Sequence, residues 1–222
     1  METRNALIAG ATGLVGNELL QLLLSDPSYS KVLILVRKKI PVDHPKLIQL
    51  QVDFNRIESL SIPVQVQDAF CTLGTTIRTA GSQEAFRKVD YDYVVGLGKL
   101  CEKNKISKFL VVSAMGADVS SRVFYNRVKG EMENTVGQLA IPSIIICRPS
   151  LLMGKRRESR PGERLAQAVM GGLGFLFVGG LKKYKAIQAR TVAAAMIAAA
   201  AANTGKFRML NSGEMQDAGT GS

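Results

Sequence analysis

The stretch ALIAGATGLVGNELL, residues 6–20, decides the fold, because it joins a strand to a helix through a glycine-rich turn. An apolar run stops at Gly10, and Gly13 and Gly16 follow before an apolar pattern of helical spacing begins. Glycine lets a pyrophosphate approach the main chain closely, and the first turn of the helix offers it unpaired N–H groups. The spacing G-x-x-G-x-x-G also suits a tight turn that binds nothing, so both interpretations stay open at this point.

Strands and helices are predicted to alternate along most of the chain. Val32–Val36 (VLILV) is a continuous apolar run, which is typical of a parallel strand covered on both faces. Gln83–Asn104 carries apolar residues at helical spacing and predicts a long crossover helix. The alternation predicts an α/β fold, a doubly wound Rossmann-type parallel sheet with a small C-terminal substrate lobe. The predicted strands cover residues 4–9, 32–36, 47–52, 69–73, 109–112, 143–147 and 207–210, and the other predicted helices cover 14–24, 125–139 and 189–202.

The chain has the length of a single domain. Its 222 residues, 46% of them hydrophobic, are enough to bury a full core. We expect this core over about residues 1–150 and a small helical substrate lobe over about 151–213. The small polar residues of 214–222 predict a disordered tail.

Cysteine and histidine are scarce. Cys71, Cys101 and Cys147 lie in apolar stretches, and an odd number of cysteines offers no disulfide framework, so we expect a reducing cytoplasm. His44 is the sole histidine, which removes Ser-His-Asp and Cys-His catalysis and histidine-rich zinc sites, so no metal is expected. The longest uncharged segment, 165–181, contains five glycines and is too short for a membrane span.

The net charge is +11, and much of it is concentrated in one region. Residues 155–190 contain nine basic side chains against Glu158 and Glu163. This region can border a phosphate-bearing cofactor, form a surface for a protein partner or serve solubility alone. No nucleic acid is expected as a partner, because basicity is the only feature that supports it.

Polar residues follow the second and third predicted strands. Arg37 and Lys38 stand where an NAD-binding unit usually has an acidic residue for the ribose 2′-hydroxyl, and their positive charges favour a 2′-phosphate, hence NADP. An ordinary basic loop is the alternative. Asp53 and Phe54 lie where adenine would rest, and Asp53 equally suits the role of capping a turn.

A second group of residues suggests redox chemistry. Tyr125 and Lys129 are four residues apart, so on a helix they share a face. A nearby ammonium is expected to lower the pKa of the phenol, which could then exchange a proton with a carbonyl oxygen that receives hydride. Ser113 follows the fifth strand and could donate a hydrogen bond to the same oxygen. A surface tyrosine beside a solvated lysine is the alternative.

Taken in order, these motifs resemble the short-chain dehydrogenase/reductase superfamily in its atypical extended branch. Within it, the chain is similar to the Tat-interacting-protein type of oxidoreductase, and the resemblance covers about two-thirds of the chain. RESRPGE (residues 157–163) is the piece specific to that type. The other motifs are GATGLVG (10–16), LGTT (73–76), VDYDYV (89–94), SAMGAD (113–118), YNRVKGEME (125–133) and RPSLLMG (148–154).

The resemblance implies a role for each motif. Ser113, Tyr125 and Lys129 would be catalytic, and Lys129 would also hold the nicotinamide ribose. An asparagine that relays protons in typical members has no clear counterpart on the helix over 83–104, where Asp90 is the nearest polar residue. The implied cofactor contacts are Gly10, Ala11, Thr12, Gly13, Leu14 and Val15 for pyrophosphate, Arg37 and Lys38 for the 2′-phosphate, Asp53 and Phe54 for adenosine, Leu73, Gly74 and Thr75 for ribose, and Pro149, Ser150 and Leu151 beside nicotinamide.

The expected function is an NADP-dependent oxidoreductase that acts on a carbonyl or alcohol of unknown identity, as a monomer or homodimer. The segment after Pro149 is short, which predicts a small substrate or none. The alternative is a regulatory protein that senses NADPH and acts through protein partners, with residues 155–190 as the contact surface.

Overall fold

Strands and helices alternate through nearly all of the described chain. The structure, a computed structural model, describes residues 3–154, 186–202 and 205–219. The strands in these residues are β1 (Arg4–Ala9), β2 (Tyr29–Val36), β3 (Leu47–Gln51), β4 (Asp68–Cys71), β5 (Lys108–Val112), β6 (Ser143–Arg148), β7 (Leu152–Met153), β8 (Ile187–Gln188) and β9 (Phe207–Asn211). The α-helices are α1 (Leu14–Ser25), α2 (Ile77–Ala80), α3 (Gln83–Arg87), α4 (Tyr93–Lys103), α5 (Phe124–Gly137), α6 (Ala189–Ala201) and α7 (Ser212–Gly219), with a 3-10 helix at Phe54–Ser59 and a π-helical turn at Lys88–Asp92.

Seven strands form one parallel sheet in the order β3-β2-β1-β4-β5-β6-β9, and β7 and β8 form a separate pair. The predicted doubly wound parallel sheet is therefore confirmed. The direction of strand order reverses between β1 and β4, which pair through Leu7 and Ala69. In open parallel sheets a crevice for ligands opens at this point, beyond the carboxyl ends of the strands.

The sheet is covered on both faces, because successive side chains of each strand point to opposite sides. Ile8 and Ile34 pack with α1 and α6 in one apolar cluster. Leu7 and Leu33 pack in a second cluster with α4 and α5. Burial on both faces explains why β2 reads as an uninterrupted apolar run.

The C-terminal part of the chain belongs to the sheet and not to a separate lobe. β9 pairs in parallel with β6, and α6 packs against α1. The described residues 186–202 and 205–213 therefore add a helix and an edge strand to the sheet, where the sequence predicts a small helical substrate lobe. Residues 155–185, the rest of the expected lobe, lie outside the described residues.

The expected disorder after Glu214 is wrong for residues 214–219, which continue α7. Asn211 Oδ1 accepts from the N–H groups of Gly213 and Glu214 at 2.9 and 3.1 Å, while Glu214 Oε2 accepts from the Asn211 N–H at 2.8 Å. This reciprocal capping starts the helix. Met215 is fully buried and anchors the helix to the core.

Truncation of Met215 tests this anchor. We expect Met215→Ala to lower the free energy of unfolding by about 2–5 kcal/mol, because it leaves a cavity in the core. Met209→Ala is the matched control, because Met209 is 47% exposed and its truncation should cost less than about 1 kcal/mol. Urea denaturation measures both, and equal losses would show that α7 is not docked.

The predicted helix over 83–104 is divided into α3, the π-helical turn and α4. The Tyr93 N–H donates to the Lys88 carbonyl oxygen, five residues back. The wider turn keeps Phe86, Asp90 and Val94 in one buried row. π-Helical turns of this kind occur frequently at functional sites.

Candidate functional site

The turn between β1 and α1 is built so that only glycine fits at two positions. Gly10 has a φ of +92°, and a Cβ there would lie 2.7 Å from the carbonyl carbon of Thr72. A Cβ on Gly16 would lie 2.1 Å from the Gly10 carbonyl oxygen. The turn is thereby pressed against the end of β4, at the reversal of strand order.

The first turn of α1 has no side-chain cap. Gly13 is the N-cap residue, and its carbonyl oxygen accepts from the Asn17 N–H, but it has no side chain to accept from the first N–H groups of the helix. Thr12 and Gly13 are exposed, whereas Ala11 and Val15 are buried and present only their main chain. An uncapped helix start attracts an anion, which suits the predicted pyrophosphate contacts.

Two free cations follow β2. Arg37 and Lys38 are exposed, and no carboxylate of the described residues forms an ion pair with either of them. Lys39 is also exposed. These guanidinium and ammonium groups are available to a phosphate at the same edge of the sheet.

Asp53 caps the 3-10 helix after β3, which was one of its two predicted roles. Its Oδ1 accepts from the Asn55 N–H at 2.9 Å and from the Asn55 side-chain amide at 2.7 Å, and these bonds lower the pKa of the carboxyl. Phe54 is buried against Tyr93, with ring centroids 5.4 Å apart. Their predicted contact with adenosine stays a prediction.

The turn after β4 contacts a buried carboxylate. The Thr75 N–H donates to Asp90 Oδ2 at 2.8 Å. Asp90 Oδ1 lies 2.7 Å from Lys129 Nζ, and both side chains are almost completely buried. Burial alone would lower the pKa of Lys129, but the carboxylate of Asp90 and its hydrogen bond raise it above the usual value, so the ammonium persists.

Tyr125 is half-buried on α5, and its ring centroid lies 5.3 Å from that of Phe86. Burial raises the pKa of its phenol, Lys129 lowers it and Asp90 raises it, with a net rise above 10.0. Lys129 therefore lowers the pKa of the phenol as expected, but burial and Asp90 together outweigh its effect. The reason is that Asp90 balances the charge of Lys129 while burial penalises the phenolate.

Ser113 follows β5 and is buried, yet its hydroxyl has no hydrogen-bond partner among the described residues. Its N–H donates to the Cys147 carbonyl oxygen at 2.7 Å, which ties it to β6. A buried hydroxyl without a partner loses the free energy of a hydrogen bond unless a ligand supplies one. Its position at the carboxyl edge of the sheet suits a ligand there.

An ion pair that the sequence does not predict supports the segment after β6. Arg148 Nε donates to both carboxylate oxygens of Glu133, at 3.0 and 3.1 Å. The Pro149 carbonyl oxygen accepts from the Met115 N–H, and Ser150 Oγ lies 2.9 Å from Ser212 Oγ. The sequence feature that could have pointed to Glu133 is its position one helical turn after Lys129, on the same face of α5.

The described ranges contain neither a metal-binding cluster nor a membrane-spanning helix. Residues 3–154, 186–202 and 205–219 contain no group of three His, Cys, Asp or Glu side chains placed to hold a metal. Within the same ranges, none of the helices has the length and apolar character needed to cross a membrane.

The reversed strand order, the glycine turn and the uncapped helix start define a dinucleotide-binding protein of the Rossmann class. The profile of the NAD(P)H-binding family matches residues 10–203, and the chain belongs to this family. Similar proteins include HTATIP2 of Rattus norvegicus, with 37% identity over 177 residues that cover 78% of this chain and 73% of that protein. The mitochondrial protein FMP52 of Eremothecium gossypii is 34% identical over 168 residues, which cover 76% of this chain and 75% of that one.

Solved structures share the fold. MoeE5 in complex with UDP-glucuronic acid and NAD superposes with a TM-score of 0.69 at 19% identity, over 93% of this chain and 75% of that one. The resemblance to extended short-chain dehydrogenases and to the Tat-interacting-protein type is confirmed. The cofactor is a nicotinamide nucleotide.

Proposed function

We propose that the protein is an NADP-dependent oxidoreductase that transfers hydride between NADPH and a carbonyl or alcohol substrate. The observation that carries the proposal is the arrangement around β4 and β5. Tyr125 and the buried Lys129 ammonium interact electrostatically, and Ser113, at the edge of the sheet that also bears the glycine turn, holds a hydroxyl with no hydrogen-bond partner in the described part of the chain.

The residues present fit the nucleotide. The glycines let the turn pack closely against Thr72 at the end of β4, and the uncapped start of α1 suits a pyrophosphate. Arg37 and Lys38 would hold the 2′-phosphate, and Asp53 and Phe54 the adenosine. The remaining assigned contacts are Leu73, Gly74, Thr75 and Lys129 at the nicotinamide ribose, and Pro149, Ser150 and Leu151 beside the ring.

When bound, the nucleotide supplies the hydride and accepts it in the reverse direction. Tyr125 would donate its phenolic proton to the carbonyl oxygen, and Ser113 would donate a hydrogen bond to the same atom. Because its pKa is raised, Tyr125 holds its proton at neutral pH. This protonation state suits carbonyl reduction better than alcohol oxidation.

Arg37 provides the test of nucleotide choice. We expect Arg37→Ser to weaken NADPH binding by about 10- to 100-fold, because a charge-assisted hydrogen bond to phosphate contributes about 1.5–3 kcal/mol. NADH affinity should not change. Fluorescence titration of the two nucleotides measures this effect, with Lys39→Ser as the control from the same exposed loop.

Two outcomes separate the alternatives. Equal affinity of the unaltered protein for NADPH and NADH would show that the assignment of Arg37 and Lys38 is wrong. Tight NADPH binding without turnover across a panel of aldehydes, ketones and alcohols would favour the regulatory alternative.

Three free, buried cysteines suit the cytoplasm, which we propose as the compartment, although FMP52 relatives are named mitochondrial.

A further inference from the structure

A buried ion pair lies directly beneath the turn after β4. A Cβ on Gly74 would lie 3.5 Å from Asp90 Oδ1 and 3.9 Å from Lys129 Nζ, so the pair is within contact distance of the exposed glycine. Asp90 and Lys129 are 1% and 4% exposed. Removing two charges from water has a large cost, which a single ion pair recovers only with good geometry.

Asp90 connects two elements that come from distant parts of the sequence. One carboxylate oxygen accepts from the Thr75 N–H in the turn after β4, and the other pairs with Lys129 on α5. The π-helical turn holds Asp90 in the buried row between Phe86 and Val94. The orientation of the carboxylate is thus determined by packing before any ligand arrives.

We propose that Asp90 is a positioning residue that holds the Lys129 ammonium beneath Gly74, where this ammonium donates to the nicotinamide ribose. The inference rests on the proposed function, which assigns Lys129 to that ribose. One hydrogen of the ammonium goes to Asp90, and two remain for ribose hydroxyls. Through Thr75, the same carboxylate keeps the ribose-lining turn in register with Lys129.

The groups facing Lys129 determine how its charge responds to pH. Asp90 faces it from the π-helical turn, Tyr125 from its own helix and Cys71 from β4. Glu133, the next carboxylate along α5, is engaged by Arg148. Burial raises the pKa of the Cys71 thiol to about 12 and raises that of the Tyr125 phenol above its ordinary value, so both groups hold their protons at neutral pH.

Asp90→Asn removes the charge but keeps the shape of the side chain. In this variant the largest remaining effect on Lys129 is burial, which lowers its pKa, so the ammonium should lose its proton at a lower pH than in the unaltered protein. We expect NADPH affinity of this variant to fall by about tenfold or more as the pH is raised from about 7 to about 9, whereas the affinity of the unaltered protein stays constant within about twofold. The 2′-phosphate, whose pKa is about 6, does not titrate there.

Asp92→Asn is the matched control. It makes the same chemical change in the same π-helical turn, but Asp92 is exposed, so its NADPH titration should match that of the unaltered protein. An Asp90→Asn variant with the same affinity and the same flat pH profile as Asp92→Asn would overturn the positioning role and leave the proposed function intact. No NADPH binding by the unaltered protein would overturn both.

A second comparison applies if Asp90→Asn does not fold. Lys129→Met with Asp90→Asn removes both buried charges and should fold, and it is compared with Lys129→Met alone. Because the side-chain oxygen kept in Asp90→Asn can still accept from the Thr75 N–H, and Asp90 otherwise acts through Lys129, the two variants should bind NADPH equally. An additional loss of more than about threefold on adding Asp90→Asn contradicts the proposal.

Discussion

Tyr125→Phe should lower the rate of NADPH-dependent carbonyl reduction by about 10²- to 10⁴-fold, the range that general acid catalysis contributes. The ring is retained, so its packing 5.3 Å from Phe86 survives and NADPH affinity should change by less than about twofold. Only the transferable proton is lost. The assay is NADPH oxidation with the most rapidly reduced compound of a panel of aldehydes and ketones.

The pH dependence of carbonyl reduction by the unaltered protein is a second test of proton donation by Tyr125. Because burial raises the pKa of Tyr125 above its ordinary value, the phenol should keep its proton at neutral and mildly alkaline pH, and reduction should lose rate only in strongly alkaline solution. Tyr91→Phe is the control, since the Tyr91 hydroxyl lies 3.0 Å from the Thr135 hydroxyl and has no assigned role in proton transfer. If Tyr125→Phe kept more than about a tenth of the rate, Tyr125 would not be the proton donor.

Gly10→Ala should both weaken nucleotide binding and destabilise the fold. At a φ of +92° the methyl group causes left-handed strain of about 1–2 kcal/mol, and its 2.7 Å approach to Thr72 adds about 1–3 kcal/mol of overpacking. A displaced turn loses one or two hydrogen bonds to pyrophosphate, each about 1.5–3 kcal/mol, so NADPH affinity should fall by about 100-fold.

Gly81→Ala is the control that causes backbone strain like that of Gly10→Ala without its steric contact with Thr72. Gly81 has a φ of +88°, but a Cβ there would meet nothing within 4 Å. We expect a loss of about 1–2 kcal/mol in the free energy of unfolding and no change in NADPH affinity. Urea denaturation and NADPH titration of both variants give the difference, and equal behaviour would mean that the turn at Gly10 has room for a side chain.

Local patterns predict the parts of the site that depend on the main chain. Gly10, Gly13 and Gly16 predict the turn because glycine alone tolerates the required φ and the close approach of β4. Arg37 and Lys38 are predicted by their place after a strand, and the structure leaves both side chains exposed. Such features need only a few consecutive residues.

The electrostatics of the site depend on partners distant in sequence. Asp90 is noticeable in the sequence as a polar residue on an apolar helix, but its pairing with Lys129 and Thr75 requires three elements to meet. The pKa of Tyr125 is predicted to fall when only its neighbour Lys129 is considered. It rises because burial and Asp90 both oppose the phenolate.

The sequence by itself determined the parallel α/β fold, the glycine turn and the presence of Tyr125 and Lys129 on one helical face, because apolar periodicity and glycine act over short stretches. Only the tertiary structure decided that β9 and α7 complete the core, that a π-helical turn presents Asp90, and that Tyr125 keeps its proton. The physical reason is that burial and the distance between charges are properties of the packed chain.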